Sequence, residues 1–145
     1  MLLNPPVQLR QATPADWPAV EHLLQLNQLP TEGAREHLAT YLLATRNAEV
    51  MGCAGAERHG DVALLRSVAV APGRQRQGIG HLLVSQMILQ ARQRQVRALY
   101  LLTTTAADYF VRHGFQRSTI GQAPAVLKAS AELQGACPAS AVLMA

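Results

Sequence analysis

The stretch Leu65-Arg66-Ser67-Val68-Ala69-Val70-Ala71-Pro72-Gly73-Arg74-Gln75-Arg76-Gln77-Gly78-Ile79-Gly80-His81-Leu82-Leu83 decides the fold. An apolar run closes on Ala71-Pro72-Gly73, and Gly78 and Gly80 then lead at once into apolar residues at helical spacing. Glycine has no Cβ, so its backbone N–H can approach a ligand closely. A helix N-terminus adds unsatisfied N–H donors and the positive end of the helix dipole. Strand, glycine turn and helix start together make an anion cradle of the kind that holds a pyrophosphate. Arg74 and Arg76 add permanent positive charge beside it. Two familiar phosphate loops are excluded by spacing. The segment has no lysine for G-x-x-x-x-G-K-[ST], and Gly78-Ile79-Gly80 lacks the third glycine of a dinucleotide fingerprint.

Outward from this segment the chain alternates between strand and helix patterns. Val7–Arg10 reads as a first strand. Thr13-Pro14-Ala15-Asp16 is a helix start, with Thr13 as cap and Pro14 at the first helical position. Trp17, Val20, Leu23 and Leu24 continue it at helical spacing. A second helix is expected over about 34–44. Strands follow over Glu49–Glu57 and Val62–Val70, joined by turn residues Arg58-His59-Gly60-Asp61. After Gly80, Leu83, Met87 and Ile88 line a helix; Arg97–Thr104 is a buried strand; Ala106–Arg112 is a helix stopped by Gly114. A short strand over Phe115–Ser118, a helix from Pro124 to about Leu133 and a last strand over Ser140–Met144 complete the order. The fold class is α/β (α+β), a mixed central sheet with helices on both faces, and residues 1–145 read as a single domain.

Composition narrows the function classes. The chain has 145 residues and a net charge of +4, carried by dispersed arginines and the single lysine Lys128. A basic balance suits an anionic ligand, but no stacking platform or motif for nucleic acid is present. No apolar run reaches the ~20 residues of a membrane span, and the first residues lack the basic start and apolar stretch of a signal peptide. Cys53 and Cys137 fit no metal spacing and are expected as cytoplasmic free thiols.

Gln75-x-x-Gly78-x-Gly80, placed after a strand and opening a helix, resembles the acetyl-CoA signature [QR]-x-x-G-x-[GA] of the GNAT superfamily of N-acetyltransferases. The element order matches as well, so the resemblance covers nearly the whole chain. Thr103-Thr104 followed by Phe110 and Gly114-Phe115 is similar to the amino-acid acetylating branch. Leu64-Leu65-Arg66-Ser67 and the tail Ala136–Ala141 resemble the small acetyltransferases that accompany arsenic-resistance operons.

The resemblance implies that the strands Val62–Val70 and Ala98–Thr104 splay apart, and that acetyl-CoA lies between them. Val68, Ala69 and Val70 would pair with the pantetheine arm through their backbone, and Gln75, Arg76, Gln77, Gly78, Ile79 and Gly80 would hold the pyrophosphate. Many relatives place a tyrosine four residues before the glycine of Gly-Phe. Here that position is Phe110, assigned to the cofactor surface, and its neighbour Tyr109 is the candidate acid, about 100° away around the helix. Where some relatives carry a glutamate base, this chain has Arg66. Alternation puts Arg66 on the face of Val68 and Val70, as an anchor for a substrate anion, with pairing to an acidic neighbour as the other reading. Glu57 is the candidate base, with Glu36 or His37 as a water-linked relay, and Thr103 and Thr104 are candidate substrate contacts. The expected reaction is direct acetyl transfer to the amine of a small acidic amino acid or analogue. Acetylation of a protein N-terminus or a polyamine, and a non-catalytic acyl-CoA-binding module, are the alternatives. The expected partner is a small-molecule amine, without nucleic acid, membrane or metal, and a homodimer is left open.

Overall fold

A computed structural model describes residues 6–75, 78–103, 106–119, 123–130, 132–133 and 142–144. They form β1 (Gln8–Gln11), α1 (Trp17–Leu26), β2 (Leu42–Arg46), β3 (Glu49–His59), β4 (Val62–Val70), α2 (Ile79–Gln93), β5 (Ala98–Thr103), α3 (Ala107–Arg112) and β6 (Val142–Met144). The sheet runs in chain order from β1 to β6. Only β4 and β5 pair in parallel, with α2 as the crossover between them; the other neighbours are antiparallel.

Two apolar layers cover the sheet. On one face α2 and α3 close over Leu42, Ala44, Met51, Ala54, Leu65 and Leu101. On the other, α1 packs Val20, Leu23 and Leu24 against Leu43, Cys53 and Ala69, while the short 3-10 helix Ala125–Ala129 brings Leu127 onto Val62 and Leu64. Gly52 permits the close approach of α2: a Cβ there would stand 3.1 Å from Leu83 Cδ1 and 3.2 Å from Ile79 Cγ2.

Several expected elements change. Thr13 does open a helix, but as a 3-10 turn over Pro14–Asp16 that passes into α1. The expected second helix ends early, because Arg35–Thr40 is a kinked 3-10 segment and Leu42–Arg46 is the strand β2. Leu42 and Ala44 face α2 while Leu43 faces α1, an alternation of two that the wider spacing Leu38, Tyr41 and Leu42 disguises as a helix. The strand expected over Phe115–Ser118 shrinks to a single bridge residue, Arg117. The helix expected from Pro124 is the five-residue 3-10 segment.

The feature that positions the site is a β-bulge. Cys53 pairs with Ala69 and Gly55 with Arg66, so Ala54 alone opposes both Ser67 and Val68. Ser67 takes the left-handed conformation, φ 60°, which costs roughly 1–2 kcal/mol for a residue with a Cβ. Its surroundings hold it there. Its hydroxyl meets the Tyr41 hydroxyl at 2.6 Å and its carbonyl accepts from Cys53 Sγ at 3.2 Å. Tyr41 reaches this point by lying flat across β3, and only a glycine at 55 leaves room for its ring: a Cβ there would fall 2.0 Å from Cε1.

Candidate active site

The parallel pairing of β4 and β5 runs from Val62↔Ala98 to Leu65↔Leu101 and stops. Beyond Leu65, β4 continues to Val70 with β3 as its strand partner on one side, and the Val70 carbonyl accepts from Asn27 Nδ2 at 3.3 Å. Its other edge opens into a V between the two strands. The backbone groups of Val68, Ala69 and Val70 lie along that opening; the side chain of Ala69 is buried, whereas Val68 and Val70 are half-buried. A buried backbone group without a partner is costly, so this edge is a place where an extended ligand gains hydrogen bonds.

The cradle stands at the end of the V. Ala71-Pro72-Gly73-Arg74 is a tight turn closed by Arg74 N–H to Ala71 C=O at 2.9 Å, with Gly73 at φ 85°. Gly78 caps α2 in the left-handed conformation, φ 78°, and a Cβ built on it meets nothing within 4 Å. Open space before the N-terminus of a fifteen-residue helix is the room a phosphate group needs. The exposed Gln75 borders it. Arg76 and Gln77 lie outside the described residues, as does Thr104. Ile79 contributes only backbone, because its side chain is buried against Leu83 and Met51 in the core.

Tyr109 projects from α3 to the first turn of α2, its hydroxyl 3.2 Å from where a Cβ of Gly80 would sit. The rotation around α3 therefore turns Tyr109, not Phe110, toward the cradle. Phe110 is a correction to the sequence reading: it is buried in the core and packs edge-on to Phe115 with centroids 5.8 Å apart. Burial pushes the Tyr109 phenol upward, so it keeps its proton at neutral pH. The rings of His113 and His81 follow behind it, Tyr109 to His113 at 4.9 Å and His113 to His81 at 5.1 Å.

Arg66 is a second correction. The bulge at Ser67 inverts the alternation, so Leu65, Val68 and Val70 face α2 while Arg66 and Ala69 face the other way. There the guanidinium is buried and answered on every side. Nη1 donates to Glu57 Oε2 at 2.6 Å, Nη2 to the Pro30 carbonyl at 3.2 Å, and Nε lies 3.3 Å from Ser67 Oγ and 3.4 Å from Glu132 Oε2. Glu57 is equally engaged. His59 Nε2 meets its Oε1 at 3.0 Å and Ser130 Oγ its Oε2 at 3.1 Å. Burial alone would raise the Glu57 carboxyl, but the hydrogen bonds from Arg66 and His59 and the charge of Arg66 outweigh it and hold the group below its ordinary value. A saturated, acidified carboxylate is a poor proton acceptor. His37 Nε2 lies 3.7 Å from Glu57 Oε1 at the outer edge of this cluster. Thr103 Oγ1 accepts the Ala106 N–H at 3.0 Å and so shapes the turn into α3.

Periodicity gave no sign of the Tyr41–Ser67 contact or of Ser130 and Glu132 joining the cluster. The one available hint was Gly55, an interior strand glycine, which marks a close approach.

The acetyltransferase (GNAT) domain family matches residues 37–117, more than half of the chain and the whole of the strand–cradle–helix unit. The chain belongs to the GNAT acetyltransferase family. GNAT enzymes take their acetyl group from acetyl-CoA. Among relatives, the amino-acid acetyltransferase of Neisseria meningitidis is 25% identical over 127 residues, covering 81% of this chain and 29% of its own length. This GNAT domain thus spans under a third of that relative. The fold matches N-acetylglutamate synthase from Neisseria gonorrhoeae, complexed with coenzyme A and N-acetyl-glutamate, with a TM-score of 0.82 at 22% identity, over 98% of this chain and 35% of that one. It also matches a Mycobacterium tuberculosis protein in complex with CoA, with a TM-score of 0.78 at 23% identity, over 94% of this chain and 96% of that one. Among the described residues no helix is long and apolar enough to cross a membrane.

Proposed function

We propose that the chain is a single acetyl-CoA-dependent N-acetyltransferase domain acting on the α-amine of a small amino acid. The observation that carries this reading is the V between β4 and β5 opening onto the left-handed Gly78 cap of α2. The cofactor fits this arrangement. Val68, Ala69 and Val70 would hold the pantetheine arm by their backbone, and Gln75 and the N–H groups from Gly78 to Gly80 would hold the pyrophosphate, with Arg76 and Gln77 in the same loop. Acetyl-CoA supplies an acetyl group activated as a thioester. The protein contributes position, exclusion of water and proton transfer. Tyr109, protonated and at the edge of the cradle, is the proposed acid for the leaving sulfur.

The finer reading is an acidic acceptor, glutamate-like or an arsenic- or phosphorus-containing amino acid. Its support is the cluster around Arg66. The contact of Arg66 with Glu132, at 3.4 Å, is longer than its 2.6 Å bond to Glu57, so a substrate carboxylate competes for Arg66 with Glu132 and not with Glu57. Thr103 ends β5 on the rim of the same opening, and Thr104, the next residue in the chain, is proposed with it as a substrate contact. A cytoplasmic setting fits the buried free thiol of Cys53, which burial pushes up to about 12 and which is therefore unreactive.

The deciding experiment is a CoA-release assay with acetyl-CoA against amino acids, polyamines and peptides. Turnover of acidic amino acids above the others is the expected result. Preference for polyamines or peptide N-termini overturns the acceptor class, and the absence of turnover with tight acetyl-CoA binding leaves a binding module in its place.

A further inference from the structure

An acceptor α-amine is protonated at neutral pH and must lose that proton before it can attack. We infer that His37, oriented by Glu57, is the base that takes it. The inference rests on the amino-acid acetyltransferase reading above.

The argument starts from what the buried cluster cannot do itself. Glu57 is 1% exposed and Arg66 3%, and both oxygens of Glu57 are engaged. Of the groups lined up on Glu57, His59 and Arg66 have side chains 14% and 0% exposed, whereas that of His37 is 30% exposed. His37 is the member through which the cluster meets solvent. Its place is set by the backbone. The 3-10 segment Arg35–Thr40 kinks at His37, φ −108° and ψ 16°, and the His37 carbonyl accepts from Thr40 Oγ1 at 2.8 Å. The Ala56 carbonyl shares the single proton of the same hydroxyl, which ties the kink to β3 one residue before Glu57.

The cluster borders the opening where acceptor and donor must meet. Arg66 is the first residue of β4 beyond the last β4–β5 pair, Leu65↔Leu101. It faces the side opposite α2, where the cluster lies. An acceptor seated in the V from that side has His37 and Glu57 beside it and the cradle beyond. His37 Nε2 lies 3.7 Å from Glu57 Oε1; the inference puts the proton of the neutral ring on Nε2, on the carboxylate side, and the lone pair on Nδ1. Nδ1 takes one proton from the acceptor ammonium, leaving the nitrogen lone pair free to attack. The N–C bond forms as the C–S bond breaks and Tyr109 gives its proton to the sulfur. The nitrogen, still carrying one proton too many, releases it to water, from which the Tyr109 phenol is restored, and His37 returns its own proton to water through the exposed ring edge. A carboxylate behind an imidazole stabilises the imidazolium that forms. The groups facing His37 are Glu57 and His59 from β3, with Arg66 of β4 and Glu132 behind them, and Arg35 and Glu36 within its own segment.

The test is kcat/KM for CoA release against pH, with L-glutamate and the other protein amino acids as acceptors, for wild type, His37→Ala, His37→Gln and Glu57→Gln. His37→Ala is expected to lose 10²- to 10⁴-fold in kcat/KM, to lose the acidic limb of the profile, and to recover on addition of imidazole. Glu57→Gln is expected to lower kcat/KM while acetyl-CoA affinity stays within twofold. Thermal melting confirms that each variant is folded. A wild-type acidic limb retained in both His37 variants overturns the inference, as does a loss in His37→Ala that imidazole does not restore. Absence of wild-type turnover with every acceptor overturns the amino-acid reading, and this inference with it.

Discussion

Arg66 and Glu57 meet through a 2.6 Å hydrogen bond, their side chains 0% and 2% exposed. Removing one member of a buried pair leaves the other charged and without its counterion, at a cost of about 3–5 kcal/mol. Arg66→Ala should therefore lower the urea midpoint sharply, since Glu57 and Glu132 would both lose their cation. Exchanging both Arg66 and Glu57 for apolar residues of similar volume should restore much of the loss. If Arg66→Ala unfolds at the wild-type midpoint, the pair contributes nothing to stability and Arg66 is held for the substrate alone.

The pH dependence of stability follows from the same pair. The Glu57 carboxyl in the folded protein sits below its unfolded value, near ~4.3. Its contribution is complete above that unfolded value and is lost as pH falls through the folded one. Asp16 adds in the same direction, because the hydrogen bonds from Arg10 hold it well below the usual carboxylate range. Denaturant titrations from neutral pH to pH 3 should show falling stability. Glu57→Gln should be less stable than wild type at neutral pH and should converge on it in acid; parallel curves would show that Glu57 does not titrate with folding.

Tyr109→Phe removes the hydroxyl poised at Gly80 while keeping the ring against that of His113. As the proposed acid, its loss should lower kcat by about 10²- to 10⁴-fold, with acetyl-CoA affinity unchanged by calorimetry. A Tyr109→Phe enzyme with wild-type kcat would mean that the sulfur leaves unprotonated.

Gly78→Glu should fold but bind acetyl-CoA far more weakly. The left-handed φ of 78° strains any side chain, and among the described residues no atom beyond its chain neighbours lies within 4 Å of a Cβ there, so the new carboxylate lands where the pyrophosphate is proposed to sit. Undiminished binding by folded Gly78→Glu would place the cofactor elsewhere.

Gly55→Ala tests the support beneath the bulge. Its Cβ would fall 2.0–2.3 Å from the Tyr41 ring, and such overpacking costs about 1–3 kcal/mol, occasionally more. The Tyr41–Ser67 hydroxyl contact should be broken at the same time. Tyr41→Ala combined with Gly55→Ala should be less damaging than the sum of the two changes; strict additivity would show that ring and strand are not in contact in solution.

How much of this the sequence made legible depended on whether the deciding interaction was local. The strand Val62–Val70 was readable to the residue, because its apolar run is bounded by turn residues at both ends. The cradle was readable because Gly78 and Gly80 act through the backbone beside them. β2 was lost because Leu42, Leu43 and Ala44 also suit a helix, and only their partners on β1 and β3 decide between the two. Arg66 was turned to the wrong face because strict alternation takes no account of one extra residue. The bulge at Ser67 depends on Tyr41 and Cys53, distant in sequence, and no local pattern announces it. Phe110 was assigned to the cofactor surface because a motif position fixes spacing along the chain, whereas the tilt of a six-residue helix fixes which ring faces the cleft.

The extra residue at Ser67 divides one strand into two independently variable halves. In the proposed function, the side chains up to Arg66 that face away from α2 would address the acceptor, and the backbone from Val68 onward would address the donor. Because the inversion is confined to a single residue, the acceptor side can drift through Leu64 and Arg66 while the donor side stays in register with Gly52 and Cys53. Deleting Ser67 would leave Arg66, Val68 and Ala69 in plain alternation opposite Gly55, Ala54 and Cys53, with Arg66 still facing away from α2, and would remove the hydroxyl that Tyr41 meets. If that division holds, substitutions on the near side of the bulge alter the acceptor range and leave the donor edge in place.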